Sequence, residues 1–364
     1  MTCNASKQCI NAPGETCETG SNDGRLPDNG MCNAPGWSFI PSNVPCEALE
    51  TPTDVWNFQG DGTLVATDPG LAVPGTPPVQ KVVNGYAVIL ATDVNIALSA
   101  NISIVGGGGG PPLPVIIAAT STITIKGTLY GVGGNPAASI VPQYCMGSPG
   151  GVGGDAPACA VGGYAGGGGG GFGETGGTGS PCTTTATPGG SPGVFDSNTS
   201  LVPLRLGCRG GKGVGADAAG STSYGGYGGA AIQLSAPNIL IEGTIDVNGG
   251  GGSSGASGDG GGGGGTGGAI LIEGSSGTIA GTARICANGG GGGGESNPGA
   301  RGTCLLDIPT GGVDGGTQHG GNGGYGGIGP TAGNGGGGGG GGVGRIHISG
   351  VTTQTGAVVT PAAM

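Results

Sequence analysis

The 364-residue chain holds 98 glycines and 26 prolines, with charged residues at 9%, aromatics at 4% and a formal charge of −11. Glycine and proline together exceed the roughly 25–30% at which an aperiodic chain is read as low-complexity, so the composition excludes an ordinary globular enzyme of this length. Glycine runs such as Gly335–Gly342 exclude collagen, which needs glycine at every third position, and the scattered Lys7, Lys81, Lys126 and Lys212 form no basic stripe for nucleic acid.

Residues 1–53 read as a Cys-rich N-terminal module, with Cys3, Cys9, Cys17, Cys32 and Cys46 set among Gly, Pro and Asn. Met1-Thr2-Cys3 lacks the basic and apolar regions of a signal peptide, and no apolar run approaches the roughly 20 residues that span a bilayer. Cys145, Cys159, Cys182 and Cys208 share one Gly-rich segment, and Cys286 and Cys304 flank another. None forms CxxC and no histidine lies at zinc-ligand spacing, so the expectation is a disulfide framework without metal or cofactor. That implies an oxidising, extracellular or cell-surface setting, with the signal segment already removed. Five upstream and six downstream cysteines leave one N-terminal thiol over. It bonds to the rest of the chain, links neighbouring molecules, or marks lipidation near Cys3.

From residue 54 to 364 the chain repeats one unit. Residues 115–133 and 231–249 both carry Ile-x-Ile-x-Gly-Thr-(Leu/Ile) after a first apolar strand, Ala269–Gly289 is a third copy, and looser copies lie at Ala87–Gly106 and from Arg345 to Val359. Apolar residues alternate with period two, as in Ile232/Leu234, Ile239/Ile241 and Ile245/Val247, the pattern of half-buried strands. One copy cannot bury its own apolar face, whereas stacked copies share a core. The fold class predicted is all-β: a parallel β-solenoid, three short strands per coil, broken at Pro237-Asn238 and Gly243-Thr244. An antiparallel sandwich is the alternative. Ordered stacking places Lys126 over Glu242 and Asp246 over Arg284. Trp56 and Phe58, just ahead of the array, suit an end cap; Trp37 and Trp56 are also the candidates for stacking on glycan rings.

Glycine-rich insertions at 131–228, 249–268 and 289–344 separate the copies. In the second, two glycine arms flank a polar turn from Ser253 to Asp259. Glycine runs can order as polyproline-II-like helices, and because these lack internal hydrogen bonds their amides need partners on neighbouring arms. A lateral sheaf of arms is therefore expected, with Tyr164, Phe172, Tyr224, Tyr227 and Tyr325 as spacers along it.

The strand unit followed by Asn-Gly and a glycine run resembles uncharacterised glycine-rich secreted proteins of bacteria over roughly residues 84–360. The arms resemble the polyglycine-II bundles of springtail antifreeze proteins and of phage tail-tip adhesins. Those resemblances imply an ordered bundle, and ice binding or surface recognition through its loops.

Catalytic candidates are sparse. Glu242, Asp246, Glu273 and Arg284 are read as outward strand positions, and His347 likewise, between Ile346 and Ile348; His319 has no nucleophile nearby. Gly210-Gly211-Lys212-Gly213-Val214 lacks the Ser or Thr of a phosphate loop, and Asp259 and Asp314 are isolated. Asn4, Asn101 and Asn198 begin glycosylation sequons. The expected role is non-enzymatic: an extracellular structural or adhesive component of a cell surface or matrix, self-associating into a filament or coat. The alternatives are a glycan- or ice-binding module and, behind it, a polysaccharide lyase or hydrolase.

Overall fold

The computed structural model describes residues 36–45, 48–67, 70–75, 79–106, 112–131, 154–156, 164–181, 188–214, 223–255, 259–294, 296–304 and 336–364. Expectations for Cys3, Cys9, Cys17, Cys32, Cys46, Cys145, Cys159, Cys182, Asn4, Asp314, His319 and Tyr325 lie outside them.

The described residues contain no α-helix. Their strands are β1 (Trp56–Phe58), β2 (Asp61–Ala66), β3 (Leu71–Ala72), β4 (Val79–Val83), β5 (Tyr86–Ile96), β6 (Asn101–Val105), β7 (Val115–Ile125), β8 (Thr128–Tyr130), β9 (Ala231–Ile241), β10 (Thr244–Asp246), β11 (Ala269–Ile279), β12 (Arg284–Cys286), β13 (Arg345–Ser349), β14 (Thr352–Thr353) and β15 (Val358–Thr360). Each copy of the repeat gives a strand to one sheet and its next strand to a second. The first sheet therefore runs β1-β5-β7-β9-β11-β13, with β14 also on β11, and the second runs β2-β6-β8-β10-β12-β15. Ladders between successive copies are parallel; β3 on β2 and β4 on β5 are antiparallel additions at the first copies. The arrangement is thus not an antiparallel sandwich.

Period-two apolar residues stack in register through the copies. Ile89, Ile117, Leu234, Ile272 and Ile348 form one row, and Ile102, Leu129, Ile245, Ile285 and Val359 another on the second sheet. Side chains of both rows meet in one core between the sheets. Burying each Ile or Leu there contributes about 1.5–3 kcal/mol.

Two expectations of register need correction. The first two short strands of a coil are one: β9 runs unbroken through Pro237. Proline is tolerated because the ladder is already interrupted there. Ala236 and Asn238 pair with Gly274 and Ser276, residue 237 itself has no partner on β11, and β7 carries one extra residue opposite this point. Lys126 does reach Glu242, Nζ to Oε2 3.4 Å, but Asp246 sits between Tyr130 and Cys286, while Arg284 pairs with Thr244. The third copy has a second Gly-Thr pair, Gly281-Thr282, and it is spent in a turn closed by Ala283 N–H to Ala280 O at 2.9 Å, which moves Arg284 by two positions.

The outer face of the first sheet is also covered. Val88, Leu90, Ile116, Ala118 and Leu271 point away from the central core into a second cluster with Trp37, Val44, Leu49, Phe172, Leu201, Leu204 and Leu206. Residues 36–45 and 48–50 thus pack on the strand array. A buried polar network pins them: the Glu273 carboxylate accepts from the Ser42 hydroxyl, the Ser42 N–H (3.2 Å), Gln233 Nε2 (2.8 Å) and Ser235 Oγ (2.9 Å), and Asn43 Nδ2 donates to Gln233 Oε1 at 2.8 Å. Unpaired, that carboxylate would be costly to bury; four donors make it tolerable.

All three long insertions leave the stack at one corner, between a second-sheet strand and the next first-sheet strand. Their described parts lie side by side and bond through the main chain, with partners that repeat every three residues. Segment 260–268 has six neighbours. Gly260, Gly263 and Thr266 donate to segment 207–214, Gly261, Gly264 and Gly267 to 336–344, and Gly262 and Gly265 to 249–255. The carbonyls of Gly261 and Gly264 accept from 164–173, those of Gly263 and Thr266 from 223–229, and those of Gly262 and Gly265 from 289–294. A Cβ at Gly263 would come under 3.0 Å from the Gly168 carbonyl, and one at Gly262 under 3.0 Å from that of Tyr224. At these two positions only glycine fits.

Candidate functional site

The aromatic candidates are not surface platforms. Trp56 is 1% exposed within the central core, its indole N–H donating to Pro74 O at 3.2 Å. Trp37 is 9% exposed within the cluster on the first sheet's outer face, donating to Glu50 O at 3.0 Å. Each ring is consumed by packing, so neither offers a face to a sugar. Trp56 moreover lies on β1, the end strand of the first-sheet ladder, paired with Val94, the place expected of an end cap.

The acidic candidates separate as well. Arg284 is exposed and Glu242 partly so, but Asp246 and Glu273 are each 7% exposed, so both are buried rather than outward in solvent. Burial raises the pKa of Asp246 above its ordinary value, opposed by the backbone N–H of Asn248 (3.0 Å) and the charge of Arg301. Glu273 is committed to the network under Ser42. His347 lies beside Leu271 in register, half-buried, with Nδ1 buried and lacking a hydrogen-bond partner among the described residues. Its neighbour on the same face of β13, Arg345, is buried against Asp196, which also pairs with Arg205 at 3.0 Å. Burial lowers the Arg345 pKa and Asp196 opposes that shift. Among the described residues no group of three or more His, Cys, Asp or Glu could hold a metal ion.

Two disulfide candidates are joined to each other, Cys286 to Cys304, and Cys208 is disulfide-bonded too. The first bond ties residues 299–304 across the outer face of the second sheet, helped by Asn288 Nδ2 to Thr303 O (2.7 Å) and Arg284 Nη1 to Cys304 O (3.4 Å). Arg301 on this strap lies over the Tyr130 ring, 5.4 Å from its centroid, and donates to the Tyr130 hydroxyl.

Among the described residues, the same face is open beyond the strap. The outward residues of β2, β6 and β8 form two rows in register, Asp61-Asn101-Thr128 and Thr63-Ser103-Tyr130. They line a groove of about 520 Å³. Asn101 Nδ2 donates to Asp61 Oδ1 at 2.8 Å across the floor, and Asn101 begins a sequon. The sequence reading missed this groove because its residues are ordinary solvent-facing strand residues; the outward period-two positions of three successive copies were the signal that could have found it.

A second surface lies on the glycine sheaf. Segments 207–214 and 223–229 run antiparallel, and two pairs of long side chains, Arg209/Lys212 and Tyr224/Tyr227, are each three residues apart along them. Lys212 Nζ lies 5.2 Å from the Tyr224 ring, and Arg209 faces Tyr227, whose pKa burial raises against the pull of Arg209. Tyr224 and Tyr227 therefore do pack along the sheaf, whereas Phe172 turns onto the first sheet's outer face. No protein-family model, no curated protein and no solved structure matches the chain.

Proposed function

We propose that the chain is an extracellular structural or adhesive protein of a cell surface or matrix, a parallel β-solenoid carrying a polyglycine-II bundle. The observation that carries this reading is segment 260–268, whose amides and carbonyls meet six neighbours with a three-residue repeat. Three residues per turn and no internal bonds are the properties of a polyproline-II-like helix, and helices of that kind made of glycine can approach closely enough to bond one another on all sides. Strand pairing in chain order supports the solenoid, and the bonded state of Cys208, Cys286 and Cys304 favours an oxidising compartment. A body so poor in charge, and built from repeated main-chain contacts, suits a rigid spacer or coat subunit better than selective chemistry. The reading assigns it no cofactor and no reaction. Its partners are further copies of itself and surface glycans.

Biotinylation of intact producing cells with an impermeant reagent, combined with sedimentation of the purified chain, tests this. Labelled protein with at most one free thiol per chain, sedimenting as concentration-dependent assemblies, is the expected result. Protein shielded from the reagent and carrying most of its cysteines as free thiols would overturn the assignment.

A further inference from the structure

We infer that the open groove on the outer face of the second sheet binds a neutral saccharide chain. This rests on the adhesive reading above and names where the contact is made. The chemistry of the lining selects the ligand class. Asp61, Thr63, Asn101, Ser103 and Thr128 are small hydrogen-bonding side chains, held in two rows by parallel ladders. Neighbouring strands lie about 4.8 Å apart, so three strands present donors and acceptors at fixed intervals over about 10 Å, the reach of a short run of sugar rings. An apolar ligand would strip water from these groups without replacing its hydrogen bonds, at a cost of about 1–3 kcal/mol for each group left unpaired.

An anionic ligand is disfavoured on two grounds. The Asp61 carboxylate lies in the groove itself, and the nearest guanidinium, Arg301, is engaged by Tyr130. A polyhydroxylated neutral chain satisfies both carboxylate and hydroxyls. Tyr130 closes the end next to the strap. Its ring is fixed by Arg301 and offers an apolar surface with a polar tip, the combination that packs on a sugar. The strap therefore acts as the wall of the site: Arg301 is a positioning residue for Tyr130, and the Cys286–Cys304 bond fixes the segment that carries it.

The experiment uses the full chain, made in a host that adds no glycan at Asn101, and titrates it calorimetrically with neutral hexasaccharides of β-1,4-linked glucose, xylose and N-acetylglucosamine, and with hexagalacturonate as the acidic comparison. Saturable binding of at least one neutral hexasaccharide, stronger than that of hexagalacturonate, is expected. Ser103→Arg, which fills the groove from an outward position, should weaken it more than tenfold, and Asn101→Ala and Thr63→Ala several-fold each. Ser276→Arg, exposed on the first sheet, should leave it unchanged. If Ser103→Arg lowers the thermal midpoint, the two alanine variants carry the test. Absence of neutral-saccharide binding, preference for hexagalacturonate, or undiminished binding in the groove variants would overturn the site. Cell-surface attachment that survives those variants would separate its failure from failure of the adhesive role.

Discussion

Ile117 in the strand stack and Gly263 in the glycine sheaf are both buried, for opposite reasons. Around Ile117 the main chains stand apart at sheet spacing and side chains fill the space between the sheets. Around Gly263 the main chains close up until no Cβ fits, and amide meets carbonyl on every side. One region excludes water by apolar area, the other by satisfying backbone polar groups in a place side chains cannot enter. The first should tolerate conservative exchange of its apolar residues; the second should tolerate none at positions such as Gly263, while its surface carries Arg209, Lys212, Tyr224 and Tyr227.

The largest effect separating the two regions is expected from Ile117→Ala, about 2–5 kcal/mol from lost burial and a residual cavity, read as a fall in the denaturant midpoint. Gly263→Ala adds a single methyl group yet should cost about 3 kcal/mol, the upper end of overpacking, because carbonyls rather than flexible side chains stand in the way. Tyr227→Ala, at the outward third position of 223–229, should cost only about 1 kcal/mol, since it removes a half-buried ring and leaves the main-chain contacts in place. Equal losses for Gly263→Ala and Tyr227→Ala would erase the distinction between interior and surface of the sheaf.

Smaller effects probe the strand stack. Burial raises the Asp246 pKa above its ordinary 3.8, so the folded chain holds that proton more tightly than the unfolded one. Stability contributed by this group is present below 3.8 and falls as pH rises towards the raised value, a negative slope in that window. Asp246→Asn should flatten the slope in acid unfolding curves measured across it, and an unchanged slope would assign it elsewhere. Smallest of all is the Lys126–Glu242 pair. With both side chains substantially exposed, its deletion should change stability by about 0–1 kcal/mol and less in high salt.

The strand units were legible because period two and the recurring Ile-x-Ile-x-Gly-Thr report directly on which side chains face the core. What escaped was any feature set by contacts between distant segments. Gln233, Ser235 and Glu273 look outward by alternation, and they are buried because Ser42 arrives from 231 residues away and Asn43 from 190. Trp37 and Trp56 carry no local mark that distinguishes a buried ring from an exposed one. Arg284 was displaced by an ambiguity internal to its copy, where two Gly-Thr pairs compete for one corner. In the sheaf, by contrast, the distinction was written in the composition: an unbroken run such as Gly260–Gly265 lies among six neighbours, whereas Tyr-Gly-Gly-Tyr, with a side chain every third residue, lies at the surface.

Hydrogen–deuterium exchange on peptides covering 249–255 and 260–268 addresses the central point, that glycine main chains bonded to one another hold a fixed structure. Amides of 260–268 should exchange as slowly as those of the central strands β7 and β9, and Gly263→Ala should release them while leaving the strands protected. Exchange within seconds in the unaltered chain, at the rate of an unstructured peptide, would contradict the account.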